Sequence, residues 1–185
     1  MLVKRQTAAL GGSVSEQEKS NMRKTFEFPI EASLDSVLDT YMSTEFFIET
    51  MRLAGARSVE ILEERDLEDG GRSWKAKITD TGRLPEFLRT SDIVVIINES
   101  SFHPSERKLV WQIMPAVQQR LIQLNGEIRI AETDGGVTLT YDASLDIHIP
   151  LLGRKTESLG LQIIGKECAK QAAFLSKWIN KSVSV

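Results

Sequence analysis

The chain has 185 residues, of which 41% are hydrophobic, and its formal net charge is -3. This length and composition support one domain with an apolar core. The weakly acidic balance excludes the strongly basic surface typical of nucleic-acid-binding proteins, and the single cysteine, Cys168, excludes an internal disulfide.

The sequence carries no signal for secretion or for a membrane-spanning helix. No apolar run reaches bilayer length, and the first residues lack the apolar stretch of a secretory signal. Residues 1–21 are polar and without periodicity, which predicts a flexible tail before a single domain at residues 22–182. A lone cysteine is consistent with a reducing compartment, so we expect a cytoplasmic protein.

The first predicted elements are one strand and two short helices. Phe26 and Phe28 alternate with polar residues over 23–30 and predict the strand. Ser33 is a candidate N-cap for the first helix, and the second helix is predicted from about Thr44 to Ala54.

Six further segments are strand-like, because they alternate apolar and polar residues or are apolar throughout. They are residues 58–65, 72–79, 92–101, 108–114, 121–133 and 137–149. Turn residues such as Asp69-Gly70-Gly71 keep the connections short, and short connections force antiparallel neighbours.

A long helix follows the last strand, from about Arg154. Small residues, Gly165, Cys168 and Ala172, occupy the middle of its apolar stripe. A helix that only fills a core usually carries Leu or Ile there. We therefore predict an α+β fold in which a seven-stranded antiparallel sheet wraps around the C-terminal helix and encloses a hollow.

The connection into that helix carries a recognisable pattern, I-P-x-x-G-x-x-x-E, formed by Ile149, Pro150, Gly153 and Glu157. With the order of elements, it resembles a bacterial subfamily of the START-like (SRPBCC) superfamily, which has the helix-grip fold. That superfamily includes polyketide cyclases, aromatic-ring hydroxylase alpha subunits and the birch-pollen-allergen lipid carriers. The resemblance covers about residues 23–181 and implies a cavity for a hydrophobic ligand.

The predicted ligand-binding residues are those expected to face the hollow from the sheet or from the helix. They are Phe28, Trp74, Ile78, Trp111, Leu124, Tyr141, Leu145, Leu161, Gly165, Cys168 and Ala172. Trp74 and Trp111 are candidate aromatic walls. A glycine inside a helix indicates close approach of another group, which for Gly165 is either a ligand or a tightly packed strand.

Groups suited to catalysis are scarce on the predicted inner face of the sheet. Tyr141 is its one titratable side chain, whereas general acid–base catalysis needs a titratable group within reach of the substrate. Cys168 lies in mid-helix among apolar neighbours, and His103 and His148 fall in a turn and on the solvent face. We predict no catalytic residue, no metal site and no cofactor.

Two apolar groups lie outside the predicted core. Leu84, Phe87 and Leu88 belong to a loop with an arginine at each end. This loop is a candidate gate over the cavity, a site of transient membrane contact, or a loop packed on itself. Phe174 and Trp178 are interpreted either as packing on the first strand or as a dimer patch.

The sequence therefore predicts a carrier or sensor of a hydrophobic, lipid-like small molecule, with no nucleic-acid partner. The alternatives are a cyclase- or isomerase-like enzyme that uses the same cavity with Tyr141, and a partner-binding domain with a filled core. The pattern does not indicate an oligomeric state.

Overall fold

An antiparallel sheet dominates the structure, a computed structural model that describes residues 22–80, 94–116, 122–147 and 153–182. Within these residues the sheet has seven strands in the order β1-β7-β6-β5-β4-β3-β2. The strands are β1 (Met22–Ile30), β2 (Ala56–Asp66), β3 (Arg72–Asp80), β4 (Val94–His103), β5 (Lys108–Pro115), β6 (Ile122–Thr133) and β7 (Gly136–Ile147).

Three helices accompany the sheet in the described part of the chain. They are α1 (Leu34–Tyr41), α2 (Thr44–Leu53) and α3 (Gly153–Ser182). The side chains of Ser33 and Ser43 accept hydrogen bonds from the backbone N–H groups of Ser36 and Phe46, which caps α1 and α2. Gly55 follows α2 with φ of 101°, a left-handed conformation that glycine adopts without strain.

This order of elements confirms the predicted α+β helix-grip fold. Most bounds differ from the predicted ones by one or two residues. The last strand was predicted to reach Ile149, whereas β7 is described only to Ile147. The alternation of apolar and polar residues predicted the strands because one face of a strand packs on the core. In β7, the alternate residues Val137, Leu139 and Tyr141 are all buried.

Strand β1 closes one side of the sheet by pairing with β7 from Met22 opposite Leu145 to Ile30 opposite Val137. On the outer face of this pair, Asp142 is buried and accepts a hydrogen bond from the Thr25 hydroxyl. The same carboxylate forms ion pairs with Arg23 of β1 at 3.6 Å and with Arg129 of β6. The carboxylate therefore connects three neighbouring strands.

The helices cover different parts of the inner face. Helix α3 contacts β1, β7 and α1, whereas α2 contacts β2 and α3. One buried cluster includes Leu175 and Ile179 of α3 together with Leu139 of β7. A second cluster, at the other end of β7, joins Leu161 to Leu145. The space between α2, α3 and the middle strands is not filled by either cluster.

Several predictions concern residues outside the described ranges. These are the tail at residues 1–21, the candidate gate residues Leu84, Phe87 and Leu88, and His148. The domain limits therefore remain predictions. Among the described helices, none is both long and apolar enough to cross a membrane.

Candidate functional site

An apolar cavity of about 240 Å³ lies between α2, α3 and strands β3 to β7. Its walls are mostly aromatic and aliphatic side chains, with a few polar groups among them. The described residues that line it are Tyr41, Phe46, Phe47, Thr50, Met51, Ala54, Trp74, Asn98, Ser100, Leu109, Trp111, Ile113, Leu124, Ile128, Tyr141, Ile163, Ile164, Glu167, Cys168 and Gln171.

Two tryptophans form part of the wall from the same face of the sheet, because Trp74 of β3 and Trp111 of β5 both pair with Ser100 of β4. Each also contacts a further neighbour. Trp74 stacks on Phe47 with ring centroids 5.6 Å apart and 4° between the planes, and its Nε1 donates to Thr44 Oγ1 at 3.0 Å. Trp111 lies over Gly126, where a Cβ would be 2.7 Å from Trp111 Cζ2. Gly126 therefore provides the space in which the Trp111 ring lies against β6.

The tyrosine and cysteine side chains of the cavity stay protonated at neutral pH. Burial raises the pKa of Tyr41 to about 12 and that of Tyr141 well above 10.0, and the interaction between the two hydroxyls is a smaller influence. Burial likewise raises the pKa of the Cys168 thiol to about 12. These groups can donate or accept hydrogen bonds, but none is an anionic base or nucleophile at neutral pH.

Polar groups of β4 and α2 interrupt the apolar wall, near the contact of Asn98 Nδ2 with the Met51 sulfur at 4.0 Å. Asn98 is 2% exposed, and its Oδ1 accepts a hydrogen bond of 2.7 Å from the Ser100 hydroxyl. Thr50 of α2 is also buried, and its hydroxyl has no hydrogen-bond partner in the described part of the chain. We call Thr50, Asn98 and Ser100 the polar patch.

The sequence prediction missed the polar patch, because the pattern of β4 does not by itself indicate which face is inward. The apolar run of β4 concealed which face was inward, so Asn98 and Ser100 were not assigned to the cavity. Phe102 is fully buried, and counting back by twos along a strand places Ser100 and Asn98 on the same face.

Glu167 adds a carboxylate to the cavity wall from α3, contrary to the expectation drawn from the strands alone. It forms an ion pair with Lys170 at 2.7 Å. The prediction placed the apolar stripe of α3, including Gly165, Cys168 and Ala172, towards the cavity, and it did not include the neighbouring Glu167. Within the described residues, no group of three or more His, Cys, Asp or Glu side chains is arranged to hold a metal ion.

The predicted ligand-binding residues separate into two groups in the structure. Trp74, Trp111, Leu124, Tyr141 and Cys168 line the cavity. The others are elsewhere on the inner face or in the packed parts of α3, away from the cavity lining: Phe28, Ile78, Leu145, Leu161, Gly165 and Ala172.

Close packing between α3 and β1 accounts for Gly165. A Cβ at this position would lie 2.4 Å from Cε1 of Phe26, so a strand side chain occupies the space over the glycine. Farther along α3, Phe174 and Trp178 pack on Phe46 of α2 at centroid distances of 5.7 Å and 5.6 Å. Neither interpretation of this pair anticipated α2 as its partner.

Comparison with known proteins agrees with the geometry. A helix-grip sheet with a long C-terminal helix and an apolar cavity defines a protein of START-like architecture. By sequence, residues 25–179 match the family described as Protein of unknown function (DUF2505), and the chain belongs to that family. No curated protein matches it.

Solved structures with the same fold have low sequence identity to this chain. The Zhui aromatase/cyclase from Streptomyces sp. R1128 is 13% identical with a TM-score of 0.60, and the match covers 88% of this chain and 94% of that one. A START superfamily protein from Mycobacterium smegmatis is 15% identical with a TM-score of 0.56, covering 87% and 97%. A protein from Thermus thermophilus is 11% identical with a TM-score of 0.59, covering 88% and 98%.

Proposed function

We propose that the protein is a carrier or sensor that binds a hydrophobic small molecule in the cavity between α2, α3 and the sheet. The observation that carries the proposal is the aromatic-walled apolar cavity of about 240 Å³ between the helices and the sheet. An engineered apolar cavity of about 150 Å³ binds benzene, and drug-sized pockets begin near 300 Å³. The volume therefore suits a two-ring compound or a short acyl chain. Such a molecule is at the small end of the lipid-like ligands that the sequence predicts.

The two alternatives gain less support. A cyclase- or isomerase-like enzyme would need a group that is free to exchange protons with the substrate near neutral pH. In the described lining, the raised pKa values of Tyr41, Tyr141 and Cys168 keep those groups protonated, and the Glu167 carboxylate forms an ion pair with Lys170. A partner-binding domain with a filled core would have no ligand-sized void, contrary to the space beside Trp74 and Trp111.

Two measurements test the proposal. Native mass spectrometry of protein purified gently from its own host should detect a bound small molecule. Purified protein should also increase the emission of the apolar probe N-phenyl-1-naphthylamine. The substitution Cys168→Phe places a ring in the cavity and should abolish both signals, whereas Ala169→Phe adds the same ring on the exposed side of α3 and should preserve them.

The proposal fails if the parent protein carries no adduct and does not bind the probe. It also fails if Cys168→Phe, with an unchanged circular dichroism spectrum, binds the probe as tightly as the parent, because the probe would then occupy another site.

A further inference from the structure

Two hydrogen-bond donors of the polar patch lack good acceptors, although both residues are buried in the cavity wall. Native structures rarely leave a buried polar group without a partner, because the group loses its bonds to water on burial. A donor that lines a ligand-sized cavity and has no protein partner is therefore available to bind a polar atom of a ligand.

Thr50 is the first of these donors. It is 8% exposed, it lines the cavity, and its hydroxyl has no partner among the described residues. Threonine in a helix commonly donates to the carbonyl four residues earlier. Thr40 of α1 does so, with its Oγ1 2.7 Å from the Ser36 carbonyl oxygen. Thr50 makes no such bond, although it also lies in a helix.

Asn98 is the second donor. Its Oδ1 accepts from Ser100, and its Nδ2 is directed to the sulfur of Met51 at 4.0 Å. A thioether sulfur is a weak acceptor, so the amide hydrogens remain available for an oxygen. The hydroxyls of Tyr41 and Tyr141 interact with each other, and neither is among the buried polar atoms without a partner in the described residues.

The charge of the cavity wall indicates whether the ligand atom that accepts these hydrogen bonds is neutral or anionic. In the described lining, Glu167 is the charged residue, and it is an acid. Lys170 pairs with Glu167 from outside the lining, so the described lining offers an anionic ligand no cation of its own. A neutral oxygen is therefore favoured over a carboxylate.

We infer that the cavity binds neutral, ring-containing molecules that carry a carbonyl oxygen, which accepts hydrogen bonds from Thr50 Oγ1 and Asn98 Nδ2 while the rings contact Trp74 and Trp111. This inference rests on the proposed function and adds the chemical class of its ligand. It makes the polar patch the part of the site that determines specificity.

Three matched probes test separately whether the ligand needs a carbonyl oxygen and whether it must be neutral. The first is 2-acetylnaphthalene, and the second is 2-isopropenylnaphthalene, in which =CH₂ replaces the carbonyl oxygen. The third is 2-naphthoate. Dissociation constants are measured by calorimetry for the parent, Thr50→Val, Asn98→Leu and the control Thr40→Val, which alters a buried threonine outside the cavity lining.

The parent should bind the ketone about tenfold more tightly than the alkene, although water solvates the ketone better. Thr50→Val and Asn98→Leu should each remove most of that preference by weakening ketone binding alone, and Thr40→Val should change neither constant. The naphthoate should bind more weakly than the ketone.

Other outcomes overturn the inference in distinguishable ways. Equal binding of ketone and alkene by the parent, or a preference that survives in Thr50→Val, removes the role of the polar patch and leaves the proposed function standing. Tighter binding of the naphthoate contradicts the selection of a neutral oxygen. Failure of all three probes to bind contradicts the proposed function, and the inference fails with it.

Discussion

Thr50 has an energetic cost for the empty protein. A buried hydroxyl without a partner loses about 1–3 kcal/mol relative to one that is hydrogen-bonded. The substitution Thr50→Val keeps the shape of the side chain and removes the hydroxyl. We expect it to raise the free energy of unfolding of the ligand-free protein by about 1 kcal/mol, measured by urea denaturation.

Thr40→Val is the matched control for this prediction. It removes a buried hydroxyl that donates to the Ser36 carbonyl, so it should be neutral or destabilising. A loss of stability in Thr50→Val equal to that in Thr40→Val would mean that the Thr50 hydroxyl has a partner in solution. A site that sacrifices stability for a ligand contact is a common arrangement in proteins.

At the scale of elements, the packing of α3 on β1 depends on a glycine. Alanine is favoured over glycine in a helix by about 1 kcal/mol, yet a Cβ at Gly165 would lie 2.4 Å from the Phe26 ring. We expect Gly165→Ala to destabilise the protein by about 1–3 kcal/mol, because it overpacks this contact. Thermal or urea denaturation measures the change.

A double-mutant cycle identifies the cause. Phe26→Leu shortens the opposing side chain, so the combined Gly165→Ala and Phe26→Leu variant should be more stable than the sum of the single changes predicts. Ala173→Gly, on the exposed side of α3, measures helix propensity alone and should cost about 1 kcal/mol. A stabilising Gly165→Ala would contradict the contact between α3 and Phe26.

The order of elements could be predicted because each strand and helix shows its own period in the sequence. Ser33 was recognisable as a cap, and the alternation of β7 identified its buried face. The position of α3 over the sheet could not be predicted in the same way. Periodicity identifies a face, but it does not say which strand a helix covers. Residues such as Phe28, Leu145 and Leu161 therefore had inward positions without lining the cavity.

The polar patch was hidden for a related reason. Strand β4 opens with apolar residues on both faces, so alternation gives no direction until Phe102 is known to be buried. Thr50 lies on a short amphipathic helix, where a threonine usually faces water. Thr50 was identified because its hydroxyl has no hydrogen-bond partner in the described structure, and a sequence pattern does not show hydrogen bonds.

At the scale of the whole molecule, the buried thiol and phenol groups make the stability of the fold depend on pH in the alkaline range. In the unfolded chain, Cys168 loses its proton near pH 9.0 and the tyrosines near pH 10.0. In the folded protein, burial raises the pKa of Cys168 and that of Tyr41 to about 12, and it raises the pKa of Tyr141 well above 10.0. Between these values the folded state holds more protons than the unfolded state. Stability should therefore be complete below about pH 9 and fall as the pH rises towards about 12.

Urea denaturation between about pH 7.5 and about pH 11 measures this dependence. Each group should contribute a slope of up to about 1.4 kcal/mol per pH unit once its unfolded form ionises. Cys168→Ala should remove the part of the decline that begins near pH 9.0 and leave the later part from Tyr41 and Tyr141. A decline from that pH that is identical in Cys168→Ala would contradict the burial of the thiol.

The pairing of β1 with β7 also has a consequence for the time at which the site forms. Thr25 and Asp142, which join these strands, are 117 residues apart in the chain. Contacts between such distant segments slow folding, because a long loop must close before they form. During synthesis, β1 cannot pair until β7 has been made. Helix α3, which supplies one wall of the cavity, is made after β7. The binding site is thus assembled by a late long-range closure, and a nascent chain that ends before α3 has no cavity in which to hold a ligand.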